Sequence, residues 1–158
     1  MQNLKINQKL VNFVENSLPH GRSDSSRHVV KLFVEEGKIR LPSGKEVEYD
    51  PHVLWEDGID RSLARHLHSL LFLRDWPASI ENDDTGELAE IVATVVNDWF
   101  VRFPKYENCG HSMAFHDETT AQRLITLISV FRASKGHLGE ERLRSLRELM
   151  KQTSDLLL

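Results

Sequence analysis

Between Asp84 and Pro104 the apolar residues fall at Leu88, Ile91, Val92, Val95, Val96 and Trp99. This is the i, i+3, i+4, i+7 rhythm that draws one apolar stripe down a helix for three turns. Asp84 followed three residues later by Glu87 predicts a capping box at its start, with Asp in place of the usual Ser or Thr, and Pro104 ends the region. Such a stripe needs partner helices to bury it, and the sequence supplies three more. Asp60 caps a predicted helix that carries Leu63, Leu67, Leu70 and Leu71 on one stripe and stops at Trp76 because Pro77 cannot continue it. A third runs from about Asp117 to Ala133 and is closed by Ser134, Lys135 and Gly136. A fourth runs from about Gly139 through Arg142, Leu143, Leu146, Leu149 and Met150 to the terminus. Connections this short make the four helices antiparallel neighbours. No repeat is clear enough to predict a solenoid.

Before Pro51 the pattern differs. Leu4, Ile6, Leu10, Val11, Phe13 and Val14 predict a short helix over 3–16, and Pro19, Gly21 and the run RSDSSR predict a loop after it. From Val29 the pieces KLFVEEG, KIRLPSG and KEVEYD read as β-prone segments separated by Gly37 and Pro42-Ser43-Gly44. They predict a small hairpin over Lys38 to Leu41 and Lys45 to Tyr49. The expected organisation is one domain over 1–158, mainly α. It has an N-terminal helix and loop (1–27), a small strand unit (28–50) and antiparallel helical hairpins (60–158).

With 40% hydrophobic residues the 158-residue chain has enough apolar side chains for a real core. The net charge of −4 gives no electrostatic footprint for nucleic acid or anionic lipid, so neither is an expected partner. A single cysteine, Cys109, leaves no internal disulfide and no multi-cysteine metal site. Polar residues break every apolar run near the N-terminus, and no segment approaches the ~18 apolar residues of a membrane span. The expected setting is cytoplasmic as written, or periplasmic or secreted if the true start lies upstream. The run SDLLL closes the sequence on apolar residues, which fits either a docked last helix or a piece of a longer chain.

The segment FHDETTAQRLITLISVF, Phe115 to Phe131, sets polar groups at the head of an apolar helix. Cys109, His111, His116, Asp117 and Glu118 are metal-capable types, but the two histidines are five apart and straddle a loop-to-helix junction, so no metal site is expected. Asp117 as a cap and Glu118 at the positive helix end would account for the carboxylates, by roughly 0.3–1 kcal/mol for the charge at the helix end. Arg123 is left over. On a buried helix its guanidinium either pairs with an acid from a neighbouring helix or faces a cleft for an anionic or polyhydroxylated ligand. Trp99, Arg102, Lys105 and Tyr106, just upstream, would suit sugar or carboxylate recognition, although Trp99 also completes the apolar stripe. His66 and His68 stand two apart and cannot face one ligand. Arg142, Arg144, Arg147 and Lys151, beside Glu140, Glu141 and Glu148, read as a solvated face. There is no phosphate loop, nucleophile elbow or arguable carboxylate pair.

The segment SMAFHDETTAQRLITLISVF, preceded by VVNDWFVRFP, resembles the N-terminal helical region of the heparinase II/III-like polysaccharide lyases. That family has a motif of the type Trp-His-Asp-x-x-Thr-Ala-x-Arg-Leu opening a helix. Here the matching residues are Phe115, His116, Asp117, Thr120, Ala121, Arg123 and Leu124, and Leu67 to Trp76 is similar to the helix placed upstream. The likeness runs over roughly 28–158, and its specific part is the His-Asp to Arg block. It implies an incomplete (α/α) toroid forming one wall of a cleft, with a C-terminal β-sandwich as the other wall. It also implies β-elimination at a uronic acid, driven by a Tyr or His base and an Asn or His neutraliser that lie beyond Leu158. No catalytic residue and no cofactor is therefore expected here. The implied substrate-binding residues are Tyr106, Phe115, His116, Asp117, Glu118 and Arg123, with His116 and Arg123 facing the cavity and at least one of Asp117 and Glu118 a cap or an arginine partner. Phe115 stands where Trp is commoner, which weakens the expected stacking on sugar. The expected ligand is an anionic polysaccharide or oligosaccharide, and a homo-oligomer or the β-sandwich would cover the apolar edge. Two other readings are a helical interaction module or oligomer subunit without activity, and a metal-dependent hydrolase using His111, His116 and Asp117.

Overall fold

The computed structural model describes residues 23–52, 54–55, 60–104 and 113–157. The predicted helix over 3–16 lies outside them. Among the described residues the chain is mainly helical, with six α-helices and one two-stranded antiparallel sheet.

The first helix, α1 (Ser23–Glu36), replaces the predicted Ser-rich loop and the strand-like KLFVEEG. Val30 and Phe33, three apart, share one helix side, and Val30 is buried. Gly37 ends the helix at φ 64°, with its N–H donating to the Phe33 carbonyl at 2.9 Å. That left-handed closure suits glycine, which has no Cβ to clash. The hairpin follows as expected: β1 (Lys38–Arg40) pairs with β2 (Glu46–Glu48), Ile39 opposite Val47. Gly44, at φ 82°, makes the turn. Tyr49 leaves the hairpin and donates its hydroxyl to the Asp98 carboxylate at 3.3 Å. Burial, and then the Asp98 charge, push its phenol up from the usual value.

Asp60 caps α2 (Arg61–His68), accepting from the Ser62 and Leu63 N–H groups at 2.9 and 3.2 Å. The helix ends eight residues before the predicted Trp76. Leu70 adopts a left-handed backbone, φ 56°, while its side chain is 0% exposed. A 3-10 turn follows at Leu71–Leu73, and Leu70, Leu73 and Trp76 all lie in the core. Pro77 then opens a helix, α3 (Pro77–Glu81), because the N–H it lacks would have had no partner in the first turn.

The apolar stripe lies on α4 (Glu87–Arg102), where Val92, Val95, Val96 and Trp99 are buried and each stabilises by roughly 1.5–3 kcal/mol. Its start is not the predicted capping box. Gly86 precedes the helix at φ 77°, and the preceding Asp83, rather than Asp84, accepts from Thr85 N, Thr85 Oγ1 and Leu88 N at 3.0, 2.6 and 2.8 Å. These hydrogen bonds, that of the Thr85 hydroxyl first, hold the Asp83 carboxyl below its usual value. The positive-φ glycine turns the chain so that Asp83 points back over the first turn.

The last two helices, α5 (Asp117–Ser134) and α6 (Glu140–Asp155), agree with the sequence to within a residue or two, apart from the end of α6 before the final leucines. Helix α5 is central: it packs against α2, α3, α4 and α6. Because neighbours surround it, Thr119, Thr120, Arg123, Thr126, Ser129 and Ser134 are buried along with its apolar residues.

Candidate functional site

Arg123 sits about two turns into α5 with no exposed surface. Its Nη1 donates to the carbonyl oxygens of His68 and Ala114, each at 2.8 Å, and its Nη2 to Thr120 Oγ1 at 3.4 Å. The His68 carbonyl is one that α2 leaves open at its C-terminus, and the Ala114 carbonyl belongs to the turn leading into α5. A buried guanidinium costs several kcal/mol to desolvate, and carbonyl acceptors with good geometry offset that cost. The sequence anticipated a partner or a cleft; the described partners are backbone carbonyls and a hydroxyl.

Trp99 completes this cluster. The Arg123 Cζ lies 4.0 Å from the Trp99 ring centroid and 6.0 Å from that of Phe115, a cation–π geometry worth roughly 2 kcal/mol where water is excluded. The Trp99 Nε1–H donates to His68 Nδ1 at 3.2 Å. That nitrogen is therefore unprotonated, which makes His68 the neutral Nε2–H tautomer. Phe103 packs edge-on against His68 with centroids 5.0 Å apart.

Beside the cluster opens a cavity of about 490 Å³ between the last turns of α4 and α6. Trp99, Phe100, Phe103 and Phe115 form an aromatic wall; Gln152, Thr153 and Asp155 of α6 face it, and Arg123 lies beneath. Phe115 and Arg123 border this cavity. Gln152 and Asp155 were missed, although their i, i+3 spacing sets them on one side of α6.

The remaining expected residues lie elsewhere. His116 occupies the N-cap position of α5 through its backbone, without a side-chain cap, and its Nδ1 is buried with no partner among the described residues. Asp117 is the first residue of the helix rather than its cap and is exposed. Glu118 pairs with Arg65 of α2 at 3.1 Å on the surface, so it is the arginine partner that one of the two carboxylates was expected to be. None of the three borders the cavity. Tyr106, Lys105, Cys109 and His111 lie outside the described residues. No group of three or more His, Cys, Asp or Glu side chains able to hold a metal occurs among the described residues. His66 is half-buried, and burial, followed by the charge of Arg74, pulls its imidazole down to about 4.

No family model, curated protein or solved structure matches this chain. Among the described residues no helix is long and apolar enough to cross a membrane.

Proposed function

We propose that the chain is the N-terminal part of a heparinase II/III-like polysaccharide lyase, its helices forming part of an (α/α) toroid that binds an anionic, uronate-containing polysaccharide. In this reading β-elimination is carried out by residues outside the chain. The observation that supports it is the cavity, in which an aromatic wall ending at Phe115 faces the amide of Gln152 and the carboxylate of Asp155. Aromatic faces against a few convergent polar groups are what a pyranose ring requires: C–H surface to stack, hydroxyls to hydrogen-bond. The two residues of the lyase-like motif that border this cavity, Phe115 and Arg123, have different tasks, Phe115 at the wall and Arg123 bracing it from below.

The test is a titration with an oligosaccharide of alternating uronate and neutral hexosamine units, read by melting temperature and by Trp99 fluorescence. The reading requires a rise in melting temperature that Gln152→Ala abolishes while the unliganded melting temperature stays within a degree or two of wild type. Absence of any saccharide response would sink it.

A second reading, a helical interaction module without enzymatic activity, is favoured by one specific observation. Val101, Leu156 and Leu157 are 72%, 44% and 39% exposed at the ends of the same two helices, α4 and α6. Concentration-dependent oligomers without a saccharide response would select it.

A further inference from the structure

The charge around the cavity argues for a narrower ligand than the whole polymer. Two helices, α4 and α6, present their last turns to it. A helix C-terminus carries partial negative charge on its open carbonyls, so both ends disfavour an anion and favour a hydrogen-bond donor. Asp155 adds a full carboxylate on the rim. The one cation among the described lining residues is Arg123; its guanidinium has no exposed area and its described donors go to the carbonyls of His68 and Ala114 and to Thr120, so a ligand in the cleft meets Asp155 at the rim before it. Hydroxyl groups meet the opposite situation. Asp155 accepts, the Gln152 amide accepts and donates, and Phe115 and Phe100 line the cleft with apolar surface suited to C–H contact.

We infer that this cleft is a subsite for an uncharged, hydroxyl-donating sugar ring and that it rejects a uronate carboxylate. The inference rests on the saccharide-binding reading and specifies which unit of the polymer lies between α4 and α6. In an alternating chain the neutral residue occupies the cleft, and the neighbouring uronate projects beyond it.

Three probes of equal length separate the outcomes by isothermal titration: a neutral hexose oligomer, an all-uronate oligomer, and an alternating oligomer. The expected order has the neutral and alternating oligomers binding about three- to fivefold more tightly than the all-uronate one, the scale of an exposed like-charge contact. That preference should shrink as salt is raised. Asp155→Lys should reverse it, while Asp155→Asn should bring the three probes close together. The all-uronate oligomer binding most tightly to the wild type would overturn the subsite assignment and leave the saccharide reading standing. Binding of none of the three would overturn both.

Discussion

The Arg123 Cζ stands 4.0 Å from the Trp99 ring centroid, while the same guanidinium holds the carbonyls of His68 and Ala114 at 2.8 Å. One side chain thus ties the end of α2, the entry to α5 and the last turn of α4. Arg123→Met keeps much of the volume but strands two buried carbonyls, and should cost roughly 3–5 kcal/mol. Arg123→Lys keeps the charge without the planar fork and should cost about 2 kcal/mol. Urea denaturation reads both as a lower midpoint; a variant as stable as wild type would show that the arginine is not a structural tie.

Acid should weaken the fold through His66. Its folded value of about 4 lies below the ordinary 6.5, so between those values the unfolded chain holds more protons than the native one. The contribution is therefore complete above about pH 6.5 and is lost as pH falls towards 4. Because water reaches part of the ring, the loss should be of the order of 1 kcal/mol. Denaturation midpoints from pH 7 to pH 4 should fall less steeply in His66→Gln, and identical slopes would assign the acid sensitivity to other groups.

Two adjacent aspartates should behave unequally. Asp83 accepts from Leu88 N, Thr85 N and Thr85 Oγ1, whereas Asp84 is exposed and makes no hydrogen bond among the described residues. Asp83→Ala should cost about 1 kcal/mol, and Asp84→Ala close to nothing. Equal losses in thermal melts would restore the capping box expected at Asp84.

Leu70 should invert a familiar ranking. Replacing a buried leucine by alanine costs about 2–5 kcal/mol, and glycine is ordinarily worse than alanine. At φ 56° a Cβ is itself unfavourable by about 1–2 kcal/mol. Leu70→Gly should therefore be no less stable than Leu70→Ala, by chemical denaturation. A clear deficit for glycine would mean that the left-handed backbone stores no strain.

The helices that carry a full apolar stripe were legible. The rhythm from Leu88 to Trp99 and the run from Leu124 to Phe131 give α4 and α5 because burial of one side needs only local periodicity. The hairpin was legible from Gly44, and the start of α2 from Asp60. What escaped depends on contacts between distant segments. Residues 29–34 are compatible with either period, and only packing of α1 on α3 and β1 decides for helix. Leu70 shows no local sign of a helix end, since a leucine accepts φ 56° only when the core takes its side chain. At the site, the burial of Arg123 was foreseeable from its apolar helix, but its carbonyl partners were not. The meeting of Phe115 with Gln152 and Asp155 joins residues 37 to 40 positions apart, which no periodicity connects.

Among the described residues the hairpin formed by Lys38–Arg40 and Glu46–Glu48 stands as a two-stranded ribbon, and such a ribbon leaves backbone donors and acceptors along its outer margins. Each strand is three residues long, and of the three cross-strand pairs two are charged, Lys38 with Glu48 and Arg40 with Glu46. A strand from a second molecule would gain at most a short ladder and would have to settle among those charges. Four charged side chains, Lys38, Arg40, Glu46 and Glu48, thereby make the ribbon a poor template for intermolecular pairing.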